Sequence, residues 1–460
     1  MGIKLYYKWM RINHPMAFQS EWLDVYDHLY VDINYALHYC SYGSKTENDI
    51  IGKLIWFLNI VIHKFFPTSS ITIADDGPAP LAKLILQRKR RMIPSIESDN
   101  VEVSPLIFTP GTSFMSSIRS KLEKYMESVK KMYNVEIKYI LGNEGEAELK
   151  LKHQIMENMA RNSQDTHIII SNDADIISMF GTLDLNSLFK VFICSNIGVS
   201  LKKDTEIISI GHLINDHISK YGISYSCGLD FTLMSIMLGN DYLPKIYYLD
   251  YDKLFSSYKE TIQEHIGLIQ NNAELNIPVF TLLLKNIISK IKPCYVNKFI
   301  KSNYDSCLCE NYIEGILWCL DMYMKGYCSK YNYMYENEEP PHPSALVCYL
   351  NRVEKCKMSD QIYPSIHPNL YTLLLLPKKA LSLVHPKFRE FADCCEFLYK
   401  QETCTVCHMM QGKLNELDKE SQEYSKYQKE LHSHEKTHAH IFVNDITEII
   451  KEFNKKYEIM

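Results

Sequence analysis

Acidic residues close one apolar run after another along this chain. Asp32 ends one such run, Asp75 and Asp76 follow ITIA, and Asp173 and Asp175 follow HIII in the string NDAD. Asp241 sits in a Gly-Asn-Asp turn behind an apolar helical stretch, and Glu144, Glu146 and Glu148 punctuate NEGEAELK. Taken singly, such residues serve as helix caps or turn residues. Gathered in one cleft they would repel each other, the more so as the local dielectric falls. Divalent cations relieve that repulsion, and hard oxygen ligands suit Mg²⁺ or Mn²⁺. Two such ions can stabilise the attacking and leaving oxygens of phosphodiester cleavage. The one-residue gaps in Glu144/Glu146 and Asp173/Asp175 let each pair reach a shared metal region.

A basic stripe begins seven residues after Asp76. In DGPAPLAKLILQRKRR, Pro80 suits a first helical turn, and Lys83, Gln87, Arg90 and Arg91 follow at offsets that share one helix face. Many charge runs are only solvated faces. Here the proximity to a metal-ligand candidate points to a phosphate pocket gripped by charge-assisted hydrogen bonds.

These residues need a scaffold that brings them to one place. Short β-branched runs at 29–31, 71–74, 167–170 and 188–194 alternate with helical patterns, as in a parallel α/β sheet. In such sheets functional groups gather beyond the carboxyl ends of the strands, where three of these runs carry their acids. A nuclease-like α/β domain is expected over 1–245, a helical connector over 246–310 and a second, helical region over 311–400. A helical tail with Cys and His groups is expected over 401–460.

Composition narrows the class. The chain has 460 residues, with 50 Lys and Arg against 55 Asp and Glu for a net charge of −5, and is 46% hydrophobic. That excludes disorder as the main state and argues against a uniformly basic nucleic-acid coat. The 14 cysteines are scattered, the first residues show no apolar signal segment, and the run near 54–62 is broken by Asn59. A reduced, intracellular chain without a membrane span is expected.

The motifs together resemble the Xrn family of 5′→3′ exoribonucleases, within the flap-endonuclease superfamily. VDINYALHYC is similar to the family's first acidic strand, and DGPAPLAKLILQRKRR to its D-G-x-A-P-x-A-K-x3-Q-R-x-R-R pattern, with Leu81 in place of the usual Arg. NEGEAELK resembles E-G-E-x-K, and LGNDYLP and EGILWCLDMYMKGYCS match later segments. The resemblance implies a short member with a parallel-sheet catalytic domain of the PIN and flap-nuclease type. It implies that Asp32, Asp76, Glu144, Glu146, Asp173, Asp175 and Asp241 are catalytic and hold two Mg²⁺ or Mn²⁺ ions. Glu148 stands where the family has its Lys and becomes a ligand if the register slips by two. His38 would stack on the leading base, while Lys83, Gln87, Arg90 and Arg91 would hold a 5′-monophosphate. Tyr331 or Tyr333 would replace the family's base-stacking Trp.

The implied activity is stepwise degradation of single-stranded RNA with a 5′-monophosphate by a monomer in the cytoplasm or nucleus, with decapping or other RNA-decay factors as partners. A DNA flap endonuclease is the first alternative, although the glycine-rich element for duplex DNA is missing after Asp241. A non-catalytic RNA-binding scaffold is the second.

In the tail, Cys404 and Cys407 form CTVC, and His434 and His438 lie in LHSHEKTHAH. These four would suit structural Zn²⁺. A continuous helix of about 24 residues would hold them some 36 Å apart. A helical hairpin breaking near 418–421 is therefore required.

Overall fold

The computed structural model describes residues 6–92, 103–142, 144–197, 205–221, 227–262, 267–270, 274–292, 305–335, 337, 339–356, 358, 361–399, 404–418 and 421–459. Its centre is a seven-stranded sheet in the order β1-β7-β6-β5-β2-β3-β4. The strands are β1 (Phe18–Gln19), β2 (Tyr26–Asp32), β3 (Pro67–Ala74), β4 (Glu136–Ile140), β5 (His167–Ile170), β6 (Val191–Asn196) and β7 (Glu206–Ser209). β6, β5, β2, β3 and β4 run parallel, while β7 pairs antiparallel with both β6 and β1. The expected α/β class with a mainly parallel sheet is what forms, closed on one side by an antiparallel edge.

The central strands are buried on both faces, which explains their unbroken β-branched runs. All four residues of β5 are buried. β4 reads EIKYI, and each of its residues keeps some exposure at the sheet edge. Charged residues protect such an edge from pairing with another chain, and they also hide the strand from a search for apolar runs. The strand expected at 188–194 begins later, at Val191, because Leu185–Leu188 closes a short helical turn capped by Asp184.

Helices α1 (Ile33–Ser41), α2 (Leu81–Met92), α3 (Ala147–Arg161) and α4 (Asp175–Phe180) each follow a strand or its loop. A later helix, α5 (Ser306–Lys325), buries Trp318, Tyr312 and Tyr323 in the same core as the sheet. Lys152 on α3 is wholly buried and donates to the carbonyls of Met179 and Tyr323. One ammonium thus links α3, α4 and α5, and burial pushes its pKa down to about 7.

The chain divides into two compact units. The first comprises 1–44, 48–83 and 121–365 and contains the sheet; the second comprises 45–47, 84–120 and 366–460. In the second, Phe388 stacks on Phe453 at 5.5 Å between centroids, with Phe391, Tyr457 and His367 against the same ring. Its tail folds into α6 (Thr405–Glu416) and α7 (Gln422–Tyr457). Among the described residues, no helix is long and apolar enough to cross a membrane.

Candidate active site

Strand register decides which acids meet. Asp32 lies level with Ala74, Ala74 with Ile140, and Val31 with Ile170. The loops after β2, β3, β4 and β5 therefore leave the sheet together, and the acids they carry share one rim. Asp32 caps α1, its carboxylate accepting from the Tyr35 amide at 3.2 Å and from Ser171 Oγ at 3.3 Å. Asp76 accepts from Asn34 Nδ2 at 2.8 Å and from the Ala147 amide at 3.1 Å, joining the first loop to the start of α3.

The β3 and β4 loops are laced by backbone. Gly77 donates to the Gly145 carbonyl at 2.8 Å, and the Gly145 amide donates to Pro78 at 3.0 Å. Gly145 adopts φ +86°, and a Cβ there would come within 3.1 Å of Tyr331 Oη, so this turn requires glycine. It delivers Glu146 to the start of α3 and Glu148 to its first turn.

Asp241 arrives from a different element, the tight turn after the helix Cys227–Met237. Gly239 holds φ +86° with Lys245 backbone packed against it. Asn240 Oδ1 accepts from the amides of Tyr242 and Leu243, both at 2.9 Å. The turn sets Asp241 Oδ2 3.1 Å from Lys83 Nζ. Lys83 also donates to Glu146, whose other oxygen accepts from Tyr242 Oη.

The electrostatics are those of anions crowded away from water. Burial, then the neighbouring Asp76, pushes Asp32 up to about 7. Glu146 also rises to about 7 through burial, opposed by Lys83 and reinforced by Asp76 and Asp241. Glu148 is held well above the usual carboxylate range by burial and by Asp32, Asp76, Asp173 and Glu146. Lys83 stays charged because Glu146, Asp241 and Asp173 outweigh its desolvation. Asp175 follows Asp173 closely, its amide donating to Asp173 Oδ1 at 3.1 Å, and lies buried in the first turn of α4.

The register of the acidic string differs from the expected one. Glu144 is exposed and accepts from Ser365 Oγ at 2.7 Å, while Glu148 joins the cluster with Glu146. The left-handed Gly145 turns the loop between Glu144 and Glu146, and the helix start carries Glu146 and Glu148 inward. Glu146, Glu148 and Lys150 thus share the spacing of the E-x-E-x-K element at the start of α3. Lys150 donates to the Asp75 carbonyl at 2.7 Å and lies 3.6 Å from its carboxylate.

The base-stacking substitutes also fail to appear as expected. Tyr331 and Tyr333 are both buried; Tyr333 packs on Trp318 at 4.7 Å and donates to the Asn311 carbonyl. Their backbone carbonyls instead receive the amides of Leu81 and Ala82 and so fix the first turn of α2. His38, by contrast, is exposed and lines a cavity of about 870 Å³ with Tyr7, Lys8, Arg11, Tyr35 and Asn172.

The basic stripe does lie on one helix, α2. Beyond Lys83, Gln87 Oε1 accepts from Tyr371 Oη at 2.8 Å, and Arg91 Nε donates to Thr109 Oγ1 at 3.0 Å. Arg90 is half-buried, whereas Arg88, off the stripe, is buried against the carbonyls of Leu374 and Leu398.

A family model described as the XRN 5′-3′ exonuclease N-terminus matches residues 1–104 and 93–192. The 5′-3′ exoribonuclease 1 of Homo sapiens is 23% identical over 338 residues, 61% of this chain and 20% of that protein. Its namesake in Saccharomyces cerevisiae is 24% identical over 336 residues, 60% of this chain and 22% of that protein. The chain is similar to the Xrn family over its first 192 residues. It spans about a fifth of the length of these two curated relatives. Among solved structures, the catalytic core of Rad2 in complex with DNA substrate covers 75% of this chain and 95% of its own, at 14% identity and a TM-score of 0.40.

In the tail, Cys404 Sγ lies 3.2 Å from His434 Nε2, and Cys407 joins them. The side chain of His438 lies outside the described residues.

Proposed function

We propose that this chain is a metal-dependent 5′→3′ exoribonuclease that degrades single-stranded RNA carrying a 5′-monophosphate to mononucleotides. The observation that carries this reading is the convergence of Asp32, Asp76, Glu146, Glu148, Asp173 and Asp241 on one rim, with Lys83 as the cation among them. A set of hard oxygen donors gathered in one place, with Asp32, Glu146 and Glu148 held above the usual carboxylate range chiefly by burial, fits divalent cations. Asp32, Asp76, Glu146, Glu148, Asp173, Asp175 and Asp241 would hold them. Two bound Mg²⁺ or Mn²⁺ ions would supply an activated water and stabilise the leaving oxygen.

The chain's own side chains do the rest. Lys83, Gln87, Arg90 and Arg91 present donors from one helix to the 5′-phosphate, so cleavage is measured from that end. His38, Tyr7 and Tyr35 line a cavity with Lys8 and Arg11, a combination of rings and cations that suits unpaired bases and their backbone. A phosphate-sized grip excludes capped ends, so decapping or another reaction that exposes a 5′-monophosphate would supply the substrate. On this reading the protein acts as a monomer in the cytoplasm or nucleus.

Digestion of 5′-labelled single-stranded RNA tests the reading. Labelled mononucleotide should appear first, only with divalent metal, and faster from 5′-monophosphate than from 5′-hydroxyl or capped ends. Faster release of intact flaps from branched DNA would overturn it in favour of a flap endonuclease. RNA binding without metal-dependent digestion would leave a scaffold.

A further inference from the structure

We infer that the tail hairpin binds one zinc ion through Cys404, Cys407 and His434. The site shares no residue with the carboxylate rim and does not depend on the exoribonuclease reading. Cys404 is the N-cap of α6 and Cys407 lies in its first turn, so the two thiols share a helix face. α6 ends at Glu416, and α7 begins at Gln422 with Ser421 as its cap, its hydroxyl accepting from the Tyr424 amide at 3.0 Å. The break required between the motifs is therefore present, and α7 runs back along α6 to bring His434 to the cysteines.

Cys404 Sγ and His434 Nε2 lie 3.2 Å apart, and all three ligand atoms fall within 4.8 Å of one another. With Zn–S bonds of about 2.3 Å and Zn–N bonds of about 2.0–2.1 Å, a tetrahedral site has ligand–ligand edges of about 3.4–3.8 Å. The observed group needs only small side-chain adjustments to accept the ion. Thiolate and imidazole donors select zinc over the hard cations suited to the carboxylates. Neither cysteine is in a disulfide, and the N-terminal end of α6 favours the thiolate form that a metal requires.

The hairpin also has a use for such an ion. Among the described residues its own cluster buries Cys407, Leu414 and Leu431, with Cys404, Met410, Tyr424 and Tyr427 packed around them. A metal that binds the folded pairing and not the extended chain would add to that support. Three ligands leave one tetrahedral position for a further donor or water.

The test uses the full chain purified under reducing conditions. Elemental analysis should find about one zinc per chain, retained in the Asp173→Ala/Asp175→Ala variant and lost in Cys404→Ser/Cys407→Ser and His434→Ala. His434→Cys should keep the ion, which separates loss of a ligand from loss of fold. Cobalt in place of zinc should give thiolate charge-transfer bands and tetrahedral d–d bands, and chelation should open the hairpin to limited trypsin digestion. Absence of stoichiometric zinc, zinc that survives removal of both cysteines, or a Cys404–Cys407 disulfide in the reduced protein would overturn the assignment.

Discussion

In the carboxylate rim, acids numbered from 32 to 241 meet because four parallel strands end in register and a glycine turn adds the last acid. In the tail hairpin, Cys404, Cys407 and His434 meet because one chain reversal folds two helices together. The rim rests on a large core that includes the sheet, α3, α4 and α5. That core can hold six acids close enough to repel before any cation arrives. In the hairpin, among the described residues, Cys407, Leu414 and Leu431 are buried together beside His434, so there the metal and the fold would support each other. A rigid scaffold lets metal ions serve chemistry, whereas a slight one uses an ion as a fastener.

The sharpest way to break this contrast is to remove ligands from each side. Glu148→Gln should lower RNA digestion by about a thousandfold or more, since metal-assisted stabilisation supplies several kcal/mol. Glu144→Gln and Cys404→Ser/Cys407→Ser should stay within about threefold of wild type, because neither alters the rim. Initial rates on 5′-monophosphate RNA decide the matter, and equal losses from Glu144→Gln and Glu148→Gln would restore the original register.

A second test concerns the repulsion itself. Lys83→Met removes the cation between Glu146 and Asp241, and breaking such a pair costs about 3–5 kcal/mol. Denaturant melts should show that loss in chelator and a smaller one with saturating Mg²⁺. A chelator-independent effect would mean that Lys83 acts through packing alone.

End selection should respond less. Arg90→Ala loses a charge-assisted bond of roughly 1.5–3 kcal/mol, so the preference for 5′-monophosphate over 5′-hydroxyl RNA should narrow about tenfold to a hundredfold. An unchanged ratio of kcat/KM values would make the stripe on α2 a solvated face.

The smallest effect is one of pH. His167 begins β5, at the end of the strand away from the rim, its Nδ1 2.9 Å from Tyr30 Oη, and burial lowers its pKa to about 3. An unfolded histidine titrates near 6.5, so between these values the unfolded chain binds the extra proton. The stabilisation from neutral His167 is full above about 6.5 and is lost as pH falls towards 3, with a slope of up to about 1.4 kcal/mol per pH unit. Melts from pH 7 to 4 should be steeper for wild type than for His167→Gln, and parallel curves would refute the assignment.

Much of the rim was legible because buried parallel strands announce themselves as β-branched runs, and Asp32, Asp76 and Asp173 follow them directly. The sequence left Glu148 as the alternative to Glu144, and the structure sets it beside Glu146 for a local reason. The literal Glu-Gly-Glu string drew attention to Glu144, but a left-handed glycine between two acids turns the chain instead of aligning them. The spacing to Lys150 held the better signal. β4 was missed because an edge strand carries Glu136 and Lys138 to guard it, and Tyr331 and Tyr333 because chain spacing says nothing about burial. The helix break in the tail was legible as a requirement, since Cys404 and His434 could meet in no other way.

The strand order has a consequence for synthesis. β1 pairs with β7, joining Phe18 to Ile208, and β5 sits between β2 and β6. Contacts of such long sequence separation form slowly, because the intervening loops must close before pairing rewards them. On the ribosome, the segment bearing Asp32, Asp76, Glu146, Glu148 and Asp173 emerges while its antiparallel edge and Asp241 are still unmade. A nascent chain therefore carries most of the acids before the rim that gathers them can form.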